Sequence, residues 1–234
     1  MVTALLGFLV LALLVACSPS TGDLRRLPAD RQATVVYVAL GDSTVEGVGA
    51  SGAETTYVGR LTARLRAIYP AARSVNLGVA GATSADVLDG QLHRAVQLAP
   101  DLVTLSVGPN DITGRVPVER YEANVREILE RLGRDTRAVV VVNLIPDLAA
   151  TPRFRGRPEE PVVAQATVAF NEALRRAARA HQAEIVDLYG PSREEVPRRP
   201  ELIAGDGYHP SDAGYARWAE LMWTGVQRRL ARSG

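Results

Sequence analysis

The chain has 234 residues, 47% hydrophobic and 23% charged, with a formal net charge of +1. That length and apolar content support one ordinary domain with a sizeable core and exclude a disordered polyelectrolyte. The balanced charge leaves no electrostatic case for nucleic acid as a partner. No Lys occurs, so a Schiff-base lysine and a Ser–Lys dyad are excluded.

Val2 to Ala16 is almost wholly apolar and is followed by Cys17. The run is short for a membrane span, which takes about 20 residues, and suits a signal-peptide core. Leu14-Val15-Ala16-Cys17 resembles a bacterial lipobox. The resemblance implies cleavage before Cys17, lipidation of Cys17, export, and a membrane anchor through the lipidated N-terminus. An uncleaved short anchor is the other reading of the run. Cys17 is the one cysteine, so no internal disulfide forms. The expected division is a signal peptide over 1–16, a lipidated Cys and flexible tether over 17–32, and one catalytic-type domain over 33–234.

Thr34 to Leu40 is a β-branched, apolar run and predicts a buried strand. Gly41 to Gly52 reads as loop. Tyr57 to Ile68 has apolar residues at helical spacing, and Pro70 ends it. Ser74 to Val79 predicts a short strand. Ser84 opens a helix with Val87, Leu88, Leu92 and Val96 on one side. Leu102 to Val107 predicts a third strand, and Val118 to Leu132 an amphipathic helix. Ala138 to Ile145 is a fourth strand, and Pro146 to Pro161 a loop bearing Arg153, Arg155 and Arg157. Val162 to His181 is helical, Glu184 to Leu188 a fifth strand, and Ser211 to Leu230 a last helix. Alternating strands and helices predict an α/β fold, a three-layer α/β/α sandwich around a parallel sheet of about five strands. Ligands bind such sheets beyond the carboxyl ends of the strands.

Four blocks fall where that rule points. Gly41-Asp42-Ser43-Thr44, Asn76 to Gly81, and Gly108-Pro109-Asn110-Asp111 each follow a predicted strand. Asp206-Gly207-Tyr208-His209-Pro210 precedes the last helix. Ser43 is a candidate nucleophile, though a serine hydroxyl needs a base to take its proton. No Gly-x-Ser-x-Gly elbow surrounds it. His209 is the candidate base. Asp206, three residues earlier, can hold a carboxylate against the imidazole Nδ1–H while Nε2 faces the serine. Ser211 or Asp212 can cap the helix that follows. His93 and His181 fall within or at the end of predicted helices and lack such a carboxylate. The Asn110 amide can donate to a developing oxyanion, and otherwise makes an Asx turn. Gly81 can offer a backbone N–H at close range, with Gly78 as its rival. Alone, each block is ordinary turn material.

In this order the blocks resemble those of the SGNH hydrolases, the GDSL esterase/lipase family, over about Val35 to Trp218. The resemblance implies a flavodoxin-like α/β/α sandwich. It implies Ser43 as nucleophile, His209 as base and Asp206 as its orienting acid. The Ser43 and Gly81 N–H groups and the Asn110 amide would form an oxyanion hole. Substrates in that family are esters and thioesters, including lipids, aryl esters and acetylated sugars. One departure stands out: Thr44 replaces the Leu commonest at the fourth place of the first block. No cofactor is implied, and three histidines and one cysteine show no zinc-ligand spacing. The expected partner is therefore a small-molecule, lipid or acylated-sugar ester. Other readings of the same residues are an acyltransferase, an O-acetyl esterase acting on cell-envelope polysaccharide, and a non-catalytic surface-binding lipoprotein.

Overall fold

The computed structural model describes residues 24–231. The expected signal peptide, Cys17 and the start of the expected tether lie outside them. Strand parity builds the core. Along β1 (Val36–Gly41) successive side chains turn to opposite faces of the sheet. Val36, Val38 and Leu40 join one buried cluster, while Val35, Tyr37 and Ala39 join another. β2 (Arg73–Asn76), β3 (Leu102–Ser106), β4 (Val139–Asn143) and β5 (Glu184–Val186) complete a parallel sheet in the order 2-1-3-4-5.

The helices are α1 (Ser43–Glu46), α2 (Tyr57–Ile68), α3 (Ser84–Asp86), α4 (Leu92–Gln97), α5 (Pro109–Thr113), α6 (Val118–Asp135), α7 (Glu160–Ala180), α8 (Tyr189–Glu195) and α9 (Asp212–Arg228). α2 and α9 cover one face of the sheet through Leu61, Leu65, Trp218 and Met222. α4, α6 and α7 cover the other through Leu92, Ile128 and Leu174. The expected three-layer sandwich with a parallel sheet is therefore present, and the strand order is the flavodoxin-like one.

Three differences concern the site. A one-turn helix, α1, starts at Ser43 inside the segment read as loop, and two further short helices, α5 and α8, follow β3 and β5. Helices of one or two turns are too short to show a 3.6-residue period. The helix opened by Ser84 is interrupted by a π turn over Val87–Gln91. The expected tether also ends early. Leu27 is buried and pairs with Leu230, its N–H donating to the Arg229 carbonyl at 2.8 Å. Arg31 donates to the Tyr69 hydroxyl at 2.5 Å. One leucine filling a gap beside the end of α9 has no periodic signature in the sequence.

β1 lies between β2 and β3, so the chain leaves β1 to one side and returns to the other. The loops after β1 and β3 part there and leave a crevice. Gly41 makes the close passage: its φ is +146°, and a Cβ would sit 1.9 Å from the Ser106 carbonyl oxygen. Gln91, from the π turn, then replaces a missing strand. Its side-chain oxygen accepts the Gly41 N–H at 2.9 Å, and its amide donates to the Gly41 carbonyl at 2.8 Å.

Asp42 caps α1. Its Oδ1 accepts from the Thr44 N–H at 2.9 Å and the Thr44 hydroxyl at 2.8 Å. The carboxyl is fully buried, and Oδ2 has no hydrogen-bond partner. Burial pushes it up to about 6, against the lowering effect of the two Thr44 bonds. An unfolded Asp titrates near ~3.9, so the folded chain holds this proton more tightly. The contribution of Asp42 to stability therefore falls as pH rises from about 4 to about 6, by on the order of 3 kcal/mol in all. Asp42→Asn removes that slope. Urea unfolding of both proteins across pH 4 to 7 should show the difference, and parallel profiles would contradict it.

Candidate active site

Ser43 is the first residue of α1, at the carboxyl end of β1, and is nearly buried. Its Oγ lies 2.9 Å from His209 Nε2. His209 Nδ1 lies 2.5 Å from Asp206 Oδ2. The other carboxylate oxygen accepts the N–H groups of Tyr208 and His209 at 2.9 and 3.0 Å. Burial raises the Asp206 carboxyl, but the bonds from the His209 ring and from these two N–H groups outweigh it. The net effect holds the carboxyl below the usual range. An ionised Asp206 fixes the proton on Nδ1 and leaves the Nε2 lone pair to accept from the serine hydroxyl.

Both ends of the 206–210 loop are anchored. The Ala204 N–H donates to the His209 carbonyl at 2.8 Å, and Ile203 pairs with Pro210. Ser211 caps α9, accepting the Gly214 N–H at 3.2 Å. Of the two expected cap residues, Asp212 does something else. It accepts the N–H and hydroxyl of Ser51 at 2.8 and 2.6 Å, tying α9 to the loop after β1. His93 on α4 and His181 at the end of α7 take no part in these bonds.

The second block separates the two rival glycines. At Gly78 a Cβ would meet Val45 Cβ at 2.6 Å, so this glycine lets the loop rest on α1. Gly81 has φ +81° and open space where a Cβ would be. Among the described residues its N–H has no acceptor. The loop is held from both sides: Glu46 accepts the Ala80 N–H, and Asn76 Nδ2 donates to the Val45 carbonyl at 2.6 Å. Asn110, on α5, donates from Nδ2 to the Ala82 carbonyl at 2.9 Å, which joins the third block to the second. One amide hydrogen of Asn110 remains for another acceptor.

Several residues that hold this arrangement were not singled out in the sequence. Asp111 is fully buried and accepts from the Ser84 N–H at 2.9 Å and its hydroxyl at 2.6 Å. Asn124 donates to the same hydroxyl at 3.0 Å. Burial raises the Asp111 carboxyl despite those bonds. The hydroxyl of Thr44 explains what the unusual residue does, since a leucine there would donate nothing to Asp42. The Asp42 cap had a sequence signal, an Asp directly before a short polar turn. Gln91 had none.

A pocket opens beside Ser43 and His209 toward α8 and α9. The 146–161 loop walls it through Pro146, Leu148 and Thr151. The arginines of that loop lie elsewhere. Arg153 stacks over the Tyr208 ring at 4.9 Å, and Arg155 and Arg157 are exposed. Trp218 lines the pocket, while Trp223 lies under Arg64. Among the described residues, no cluster of three or more His, Cys, Asp or Glu side chains offers a metal site, and no helix is long and apolar enough to cross a membrane.

Comparison with known proteins gives the same architecture. An acetylxylan esterase from Geobacillus stearothermophilus superposes with a TM-score of 0.69 at 21% identity, covering 88% of this chain and 100% of that one. An alpha/beta hydrolase enzyme from the metagenome of Lake Arreo, Spain, gives 0.69 at 22%, with 86% and 100% covered. TesA gives 0.69 at 22%, with 83% and 99% covered. No curated protein matches the sequence. The model of the GDSL-like Lipase/Acylhydrolase family matches residues 39–217. With that match over most of its length, the chain belongs to the GDSL-like lipase/acylhydrolase family and is an ester hydrolase of the SGNH/GDSL type.

Proposed function

We propose that the protein cleaves carboxylic esters through a Ser43 acyl-enzyme, with His209 and Asp206 completing a triad. The observation that carries this is the unbroken line of bonds from Ser43 Oγ to His209 Nε2 and from His209 Nδ1 to Asp206. Ser43 Oγ attacks the acyl carbon as Nε2 takes its proton. Asp206 stabilises the imidazolium that forms. His209 then protonates the leaving alcohol, and water releases the acyl group by the same steps in reverse.

The oxyanion of the tetrahedral intermediate is received by the Ser43 and Gly81 N–H groups and the Asn110 amide. Two features support those donors. The first N–H groups of a helix lack intrahelical partners, which frees that of Ser43. The bond from Asn110 to the Ala82 carbonyl sets the amide beside the Gly81 turn. No metal or cofactor enters these steps.

We read the protein as exported and lipid-anchored through Cys17, outside the cytoplasm. The support is the apolar run over 2–16 and its Leu14-Val15-Ala16-Cys17 ending. A single acyl chain anchors only marginally, so firm attachment takes more than one.

Three measurements test these readings. Ser43→Ala should lower turnover of p-nitrophenyl butyrate by at least about 10⁴-fold and abolish labelling by a fluorophosphonate probe. Full activity in that variant would sink the assignment. Asn110→Ala should lower kcat by on the order of 10²–10³ with little change in KM. A loss confined to KM would remove Asn110 from the oxyanion hole. In bacterial cells, Cys17→Ser should abolish incorporation of radiolabelled palmitate and release the protein from membranes, and unchanged labelling would refute lipidation at Cys17.

A further inference from the structure

The pocket beside Ser43 is walled mostly by apolar surface. It starts at Ser43 and His209 and passes between Leu188, just after β5, and the helices α8 and α9. Leu148, Leu188, Leu202 and Trp218 form buried wall. The polar side chains on the way are already engaged. The Thr44 hydroxyl is on Asp42, the Thr151 hydroxyl donates to the Leu148 carbonyl at 2.6 Å, and the Ser192 hydroxyl donates to the Tyr189 carbonyl at 3.0 Å. The Tyr208 hydroxyl and the Trp218 indole N–H are covered by protein, so neither is presented to the cavity.

α9 sets the length. Gly214, Arg217, Trp218 and Leu221 all line the pocket. Their spacing is three, four and seven residues, one face of a helix. Seven residues at 1.5 Å each give a wall about 10 Å long, which fits an extended chain of on the order of eight carbons. Arg217 makes bidentate bonds to Glu195 of α8 at 2.8 and 3.1 Å, which holds α8 against α9 along that wall. The charged side chains on the wall are engaged within the protein, Arg217 with Glu195 and Asp147 with the Ala149 N–H at 3.1 Å, so most of the lining surface left for a ligand is apolar.

We infer that this pocket takes the acyl chain of medium-chain esters, making the protein a medium-chain acyl-ester hydrolase rather than an acetyl esterase. The inference rests on Ser43 as the acylated residue, as proposed above. Each methylene that enters the pocket should raise kcat/KM by up to about fourfold. Groups longer than the wall should gain nothing further.

The test is a series of p-nitrophenyl esters from acetate to dodecanoate, hydrolysed by the purified full chain. The expected profile rises from acetate to a maximum near octanoate. Val196→Trp on α8's end and Leu221→Trp on α9 each fill the pocket from a different wall. Each should lower the octanoate-to-acetate ratio of kcat/KM by at least about tenfold. A best substrate of acetate, or a ratio unchanged in both folded variants, would overturn the inference. A second measurement does not need turnover. Ser43→Ala should bind octanoate saturably and acetate not at all, read by the fluorescence of Trp218. Failure of that binding overturns the pocket's role even when wild-type Ser43 reacts with fluorophosphonate. Lack of fluorophosphonate labelling with octanoate binding intact would instead overturn the serine mechanism and leave the pocket standing.

Discussion

The bond between Ser43 Oγ and His209 Nε2 joins residues 166 positions apart. Every element of the fold that bears on the site serves one of its two ends. At the serine end, Gly41 lets β1 run close to β3, Gln91 holds the Gly41 backbone, and Asp42 caps the turn that exposes Oγ. At the histidine end, Asp206 braces both the ring and the backbone of its own loop, and Ser211 fixes that loop to α9. α9 in turn packs on the same sheet face as α2. Two short segments with weak local preferences are thereby held within hydrogen-bond reach.

This precision has a cost that shows around the site. Asp42 keeps a buried carboxylate oxygen without a partner, and so do the hydroxyls of Tyr57 and Tyr208 and the indole N–H of Trp218. Tyr57 stacks on Trp218 at 5.7 Å, and Trp218 and Tyr208 both line the pocket. An unsatisfied buried polar group costs roughly 1–3 kcal/mol. Among the described residues Asn143 Oδ1 on β4 is a further such atom. The buried Asp42 and Asp111 carboxyls, both raised by burial, belong to the same pattern.

The site and the pocket divide the work of the enzyme. The bonded line of Ser43, His209 and Asp206 lies at the carboxyl end of β1, on α1 and the loop before α9. The pocket is built from α8, α9 and the 146–161 loop, where this chain places its own side chains. The structures it resembles share its fold at 20–22% identity, and that level carries the scaffold rather than the choice of acyl group.

The strands and long helices were legible because each is long enough to show its period. β1, β3 and β4 are near-continuous apolar runs, and α2 and α6 repeat apolar residues at helical spacing. Ser43, Asp206, His209 and Asn110 were legible because their residue types and their place after strands or before a helix limit what they can do. Gln91, Asp111 and the folded segment around Leu27 were not, because each acts through contact with a residue distant in the chain, and the bond of Thr44 to its neighbour Asp42 forms only once the turn is folded. Gly78 and Gly81 were told apart only by the space beside them. The sequence by itself determined a parallel α/β sandwich and marked Ser43, His209 and Asp206 as candidates for its site, since local periodicity sets the first and residue chemistry the second. Only the tertiary structure decided which glycine packs, which cap holds α9, and which side chains line the pocket, since those depend on distances between segments that no local pattern encodes.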